Sequence, residues 1–174
     1  VECMEKFFLS HKILFDMGQS DLFYENAKKM NIDLSNVDIA VLSHGHYDHG
    51  GGLKKFLEIN YKAKVYLSSH AFESHYNGEK YIGLDVSLKE CERLVFTDDE
   101  LKIADGLTLY SCNSEWCKWD INSGGLSVVE KGERVPDLFL HEQYLLIEEN
   151  EHRVLISGCS HKGILNIEDW FDVE

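Results

Sequence analysis

The sequence predicts a layered α/β domain, and three observations lead there. Val37, Ile39, Ala40, Val41 and Leu42 form a short, nearly continuous apolar run, as expected of a strand buried on both faces. The run leads directly into Ser43-His44-Gly45-His46-Tyr47-Asp48-His49 and three glycines, and ligands in layered α/β proteins gather where strands end. Further strand-like runs and two amphipathic stretches flank it. At 174 residues the chain is long enough to bury a real core and is expected to be a single domain over 1–174.

In chain order, Phe7 to Phe15 reads as a hairpin broken at Ser10-His11-Lys12, its second arm ending at Asp16. Ser20 to Met30 reads as a helix: Ser20 can cap it, Asp21 suits its positive end and Lys28-Lys29 its negative end. Phe23, Ala27 and Met30 fall on one face of it. After the histidine motif, Leu53 to Ile59 is a short helix with Leu53, Phe56 and Leu57 inward. Lys64 to Leu67 is a buried strand. Asn77 to Leu84 reads as a loop. Arg93 to Phe96 and Leu101 to Tyr110 are strands, the latter turning at Asp105-Gly106. Ser111 to Gly125, with Trp116 and Trp119, is a long irregular loop, either a substrate-facing lid or the cover of an apolar edge. Leu126 to Val129 is a strand. Tyr144 to Ile147 and Arg153 to Ile156 pair as a hairpin across Glu149-Asn150-Glu151. That hairpin would carry His141, before its first arm, and Cys159 to His161, after its second, to the same end of a sheet.

The motif has a chemical reading. His44 and His46 are two apart and, in extended backbone, can face one metal ion. Asp48 and His49 then need a turn to face a second, and the glycines permit a tight turn and close backbone approach. Imidazole with carboxylate suits zinc, and also manganese or iron. A histidine-rich surface loop is the plainer alternative.

His44-x-His46-x-Asp48-His49 resembles the signature of the metallo-β-lactamase superfamily. Ile13 to Ser20, the Gly-Gly-Leu after the motif, His141-Glu142-Gln143 and Ser157 to Ile167 resemble one subgroup, whose members are similar to a methanopterin-pathway ribofuranosylaminobenzene phosphate synthase. The resemblance implies an αββα sandwich with one or two divalent ions, most simply zinc. It implies ligands His44, His46, Asp48 and His49, with His141 or His161 completing the shell. It also implies an orienting role for Asp16 and a place for Cys159 beside the ions, while Lys162 would meet an anionic substrate group. His70 and His75, on a stretch that resembles the family's His-x-Ala-Phe region, are pocket candidates or solvated helix residues. The family pattern continues past the Gly-Cys-Ser-His segment with more strands and a late histidine, so a chain that stops at Glu174 is expected to be an incomplete sandwich. The implied activity is hydrolysis of an ester or phosphoester of a small anionic substrate by a metal-bound hydroxide, with Asp48 catalytic. The alternative is a non-catalytic or truncated metal-binding relative.

Composition narrows the partners. A formal net charge of −14 argues against nucleic acid, whose phosphates need Lys and Arg. No apolar run approaches the roughly 20 residues of a membrane span. The five cysteines are an odd number, and with no signal-like start the expectation is reduced thiols in the cytoplasm. An unfinished sheet edge would favour a homodimer.

Overall fold

The computed structural model describes residues 11–172, so the first arm of the hairpin expected from Phe7 lies outside the described residues. The second arm is β1 (Ile13–Phe15). It runs parallel to β2 (Ile39–Val41), with Phe15 opposite Val41. β3 (Lys64–Ser68) and β6 (Leu94–Thr97) extend this parallel sheet in the order β1-β2-β3-β6. A second sheet is antiparallel, built from β7 (Glu100–Ala104), β8 (Leu107–Tyr110), β11 (Tyr144–Glu149) and β12 (His152–Ile156) in the order β12-β11-β8-β7. The expected hairpin is β11–β12, registered with Leu145 opposite Ile156.

Side-chain alternation builds the layers. On β2, Ile39 and Val41 face the second sheet and meet Leu107, Leu109 and Leu145. Ala40 and Leu42 face the other way, toward helix α1 (Leu22–Lys29) and helix α3 (Leu53–Ile59), which contribute Ala27, Leu53 and Phe56. On β11, Leu145 points into the sandwich while Tyr144 and Leu146 point out to Ile167 and Phe171 of helix α4 (Ile164–Phe171). The result is helix, sheet, sheet, helix: the αββα arrangement. Full burial of a side chain such as Leu145 contributes roughly 1.5–3 kcal/mol.

Several local expectations are corrected. Met30 lies past the end of α1 and is 68% exposed, and the inward face of that helix is Ala27 with the partly buried Phe23 and Tyr24. Asn77 to Leu84 is not simply a loop. β4 (His75–Asn77) pairs with β5 (Lys80–Tyr81) around Gly78 and with β9 (Leu126–Glu130), and β10 (Glu133–Pro136) completes this third sheet. The motif glycines form no unusual turn: Tyr47–Gly50 is one helical turn, α2, and Gly51 and Gly52 have ordinary helical φ. What Gly51 supplies is space, since a Cβ there would collide with the carbonyls of Gln19 and Tyr47.

The Ser111–Gly125 loop is tied to α4 at several points. Trp119 N–H donates to Asn166 Oδ1, Asn166 Nδ2 donates back to Trp119 O, Trp170 Nε1 donates to Trp116 O, and Lys118 pairs with Asp169.

Candidate metal centre

The sheet ends carry the chemistry. Beyond β2 the chain gives Ser43, His44 and His46, all buried. Beyond β1 it gives Asp16, in the left-handed region at φ 62°. Before β11 come His141, Glu142 and Gln143, each fully buried, and after β12 come Cys159 and His161. The β11–β12 pairing brings the last two segments together: the carboxylate of Glu142 accepts the backbone N–H of His161 at 2.7 Å and of Lys162 at 3.0 Å. The imidazoles then form one cluster, with His44 to His161, His46 to His161 and His46 to His141 centroids 5.0, 5.0 and 4.9 Å apart.

Three donor groups converge there. They are His44, His46 and Asp48; His44, Cys159 and His161; and His46, His75, Asp137 and His141. Within each group the donor atoms lie within 4.8 Å of one another. His49 is in none of the three. Its Nδ1 is held by Asp16 Oδ2 at 2.6 Å and its Nε2 lies 3.0 Å from Cys159 Sγ.

Asp16 orients two rings. Its Oδ1 accepts the Ser43 N–H at 2.7 Å, and its Oδ2 accepts the Ser43 hydroxyl at 2.7 Å as well as His49 Nδ1–H. With its own proton given to Asp16, Ser43 Oγ accepts from His44 Nδ1 at 2.8 Å. The hydrogen on His44 is thereby fixed on Nδ1, leaving the Nε2 lone pair for a ligand. The hydrogen bond from His49 to Asp16 holds that imidazole above its usual value.

The other rings are pushed the opposite way. Burial, followed by the neighbouring imidazoles, holds His44 well below the ordinary histidine value and His46 at about 2. Burial brings His141 to about 4 and lowers His161. Burial opposes the charge on Asp137, but the His141 and His75 imidazoles beside it, the latter hydrogen-bonded to it, outweigh burial and hold the carboxyl below the usual range. The site therefore favours neutral imidazoles beside ionised carboxylate, the protonation state a cation requires.

A metal fits this donor set on an observation of the structure itself. The Nε2 atoms of His44, His46, His75, His141 and His161 are buried with no hydrogen-bond partner among the described residues. A buried polar atom left unpaired costs about 1–3 kcal/mol, and a bound cation relieves such a cluster at the nitrogens that carry a lone pair; His141, whose Nδ1 accepts the Gly45 N–H, is not among them. Phe139 supports the cluster: it sits at φ 57°, 1% exposed, and stacks on His161 at 4.5 Å. A bulky residue in that backbone region is strained, and such strain collects at functional sites.

The family model of the metallo-beta-lactamase superfamily matches residues 10–171. The chain belongs to the metallo-beta-lactamase superfamily. Among solved structures, this metallo-beta-lactamase domain is similar to Tm1679, a metal-dependent hydrolase of the beta-lactamase superfamily. The two share 34% identity and a TM-score of 0.77, over 98% of this chain and 67% of the other. Two curated relatives are from Methanocaldococcus jannaschii. The uncharacterized protein MJ0448 is 29% identical over 95% of this chain and 69% of its own length. The 7,8-dihydropterin-6-methyl-4-(beta-D-ribofuranosyl)-aminobenzene-5'-phosphate synthase is 28% identical over 91% of this chain and 59% of its own length. The chain thus spans between about three-fifths and two-thirds of the curated relatives it matches.

The other residues expected at the site take varied places in the superfamily fold. Asp48 is exposed at the mouth, beside buried His44 and His46. Cys159 is exposed, and burial together with Asp48, Glu142 and Asp16 raises its thiol. Lys162 is 2% exposed, and its Nζ is bound by Ser111 O at 2.6 Å and Asn113 Oδ1 at 2.5 Å. Its ammonium is a strut under the Ser111 loop rather than a free cation for a substrate. His70 pairs with Glu73 at the surface, whereas His75 lies inside the cluster. Sequence reasoning missed Asp137; the available signal was a lone carboxylate inside the apolar run Val135 to Leu140, four residues before His141. Among the described residues Cys91, Cys112, Cys117 and Cys159 are free thiols, and none of the described helices is long and apolar enough to cross a membrane.

Proposed function

We propose that this chain is a metal-dependent hydrolase that cleaves an ester or phosphoester of a small anionic substrate. The observation that carries the proposal is the cluster of buried, unpartnered Nε2 atoms of His44, His46, His75 and His161 at the sheet ends, supported by the likeness to a metal-dependent hydrolase over nearly the whole chain. A divalent cation, most simply zinc, would supply Lewis-acid polarisation and lower the pKa of a water toward about 7.

The chain's own residues divide the remaining work. His44 and His46 offer lone pairs from buried, preorganised rings, so little ordering cost remains when a ligand arrives. Asp16, directly and through Ser43, keeps His49 and His44 in fixed tautomers. Asp48 is the solvent-facing member of its donor group, placed to orient the attacking water and receive its proton. Lys162 is already engaged and the chain carries a net charge of −14, so the cation itself is the attraction for an anionic group. The M. jannaschii relative named for a ribofuranosyl 5'-phosphate product makes a phosphorylated small molecule the substrate class to test first.

The same relative favours a second reading. It is named a synthase, so group transfer to an acceptor other than water is the alternative reaction at the same centre.

The test is elemental analysis of the purified protein beside His46→Ala and Asp48→Ala, followed by a phosphomonoester and phosphodiester screen of the metal-loaded protein. One or two metal equivalents that fall in the variants, with turnover lost in both, support the hydrolase. Metal without turnover on any ester moves weight to transfer chemistry. A protein that neither carries metal nor takes it up from zinc or manganese buffers overturns the proposal.

A further inference from the structure

The inner end of the cluster contains a histidine that the sequence signature does not include. His75 sits on β4, fully buried, in register with Val128 of β9. Its Nδ1 meets Asp137 Oδ2 at 2.8 Å. Asp137 is itself 2% exposed, and its other oxygen accepts the Phe139 N–H at 2.7 Å. An ionised carboxylate accepts only, so the hydrogen of His75 lies on Nδ1 and the lone pair on Nε2. That Nε2 is buried and has no partner among the described residues. A ring held by a carboxylate at one nitrogen and left open at the other is how metal-binding histidines are oriented. A histidine that merely filled the core would have both nitrogens satisfied.

The neighbouring ring makes the point sharper. His141 Nδ1 accepts the Gly45 N–H at 2.8 Å, so the hydrogen of neutral His141 lies on Nε2, which faces Asp137 Oδ2 at 3.4 Å. His141 therefore has its lone pair already used. His75 stacks against it, centroids 3.9 Å apart, and lies 5.5 Å from the ring of His46. One donor atom each from His46, His75, Asp137 and His141 lies within 4.8 Å of the others, and all four side chains are buried.

We infer that His75, oriented by Asp137, is a ligand of the metal centre on its inner side, beside His46. The inference rests on the metal-binding reading above and adds a ligand to it. Imidazoles with a carboxylate suit zinc, manganese or iron, and the full burial of this end leaves the open coordination positions at the Asp48 side.

The experiment strips the protein of metal and reloads wild type, His75→Ala, His75→Gln and Asp137→Asn. Zinc affinity is read by competition with a chromogenic chelator, and the ligand field by the visible spectrum of the cobalt(II) form. The expected result is a weakening of zinc binding by about 10–100-fold in Asp137→Asn and at least that in His75→Ala, with an altered cobalt spectrum in both. A purely structural role would lower the melting temperature of the metal-free form and leave the cobalt spectrum and zinc affinity of the folded fraction alone. His75→Gln and Asp137→Asn keep the side-chain volume and decide the matter if His75→Ala does not fold. Wild type that binds metal, with folded variants that match its affinity and spectrum, overturns the role of His75 only. Wild type that binds no metal overturns the hydrolase reading as well.

Discussion

Asp16→Asn tests the logic of the centre with a change of one proton-bearing atom. The carboxylate takes three hydrogen bonds, from Ser43 N–H and the Ser43 hydroxyl at 2.7 Å each and from His49 Nδ1 at 2.6 Å. Asparagine can keep the Ser43 N–H on its oxygen, but it then presents an NH2 where Oδ2 stood. Two donors would face that NH2 unless both partners reverse. His49 must move its hydrogen to Nε2, and Ser43 must accept from the amide and turn its own hydrogen toward His44 Nδ1, which moves the hydrogen of His44 to Nε2. His44 then loses the lone pair a metal needs. Disturbing one orienting partner costs about 10–100-fold in metal affinity, so zinc binding is expected to weaken by at least that much. Losing a charge-assisted hydrogen bond costs about 1.5–3 kcal/mol. For a chain of this size each kcal/mol lowers the melting temperature by about 2–4 °C, so the metal-free protein is expected to melt roughly 3–12 °C lower. The assay is zinc competition with a chelator beside thermal melts in EDTA. Ser43→Ala, which cuts only the His44 branch, is expected to give the smaller loss. Zinc affinity in Asp16→Asn within twofold of wild type would refute control of the tautomers by Asp16.

Three further outcomes follow from the geometry. The metal-free protein should lose stability on acidification: His44, His46 and His141 have lowered native values, so below about pH 6.5 the unfolded chain binds protons the native state refuses, at about 1.4 kcal/mol per pH unit for each fully shifted ring. His49, raised by Asp16, has the opposite sign: its contribution is complete below pH 6.5 and is lost as pH rises through its native value. Urea midpoints in EDTA that do not fall between pH 7 and pH 5 would contradict the neutral-ring assignment. Gln143→Leu should cost about 2–4 kcal/mol by leaving buried partners unpaired, because Gln143 Nε2 donates to Leu42 O and Tyr66 O and its Oε1 accepts from Thr97; a denaturant curve matching wild type would show that water replaces the side chain. Gly45→Ala places a Cβ against the Ala71 carbonyl and should cost about 1–3 kcal/mol together with metal affinity, since Gly45 N–H also holds His141; a variant with unchanged zinc binding would show that this approach can relax freely.

How much of this is legible in the sequence depends on how far apart the cooperating residues lie. The motif is readable because His44, His46 and Asp48 alternate within one short stretch and an apolar strand runs into them. The β11–β12 hairpin is readable because its two apolar arms flank an obvious turn, and it correctly places His141 and His161 at one end of a sheet. β4 and β5 are not readable. His75-Tyr76-Asn77 and Lys80-Tyr81 are short and polar, and β4 becomes a strand through β9, some fifty residues later. Helix α4 is hidden for a different reason: it starts at Gly163 with φ 91° and no side-chain cap, so the usual start signal is missing. Lys162 misleads because charge is visible in a sequence and burial is not.

The same distinction explains why the inner half of the centre is hard to see in the sequence. Asp137 and His75 are 62 residues apart and meet only because β4 pairs with β9 in one register, His75 opposite Val128. Side chains alternate along a strand, so a slip of one residue would turn His75 to the other face and away from Asp137. The outer ligands are specified by a local run of chain, whereas His75 is specified by a sheet register. Changes on β9 that disturb this register, although remote from the His44–His49 motif, are therefore expected to reach the metal centre through His75 before they reach His44 or His46.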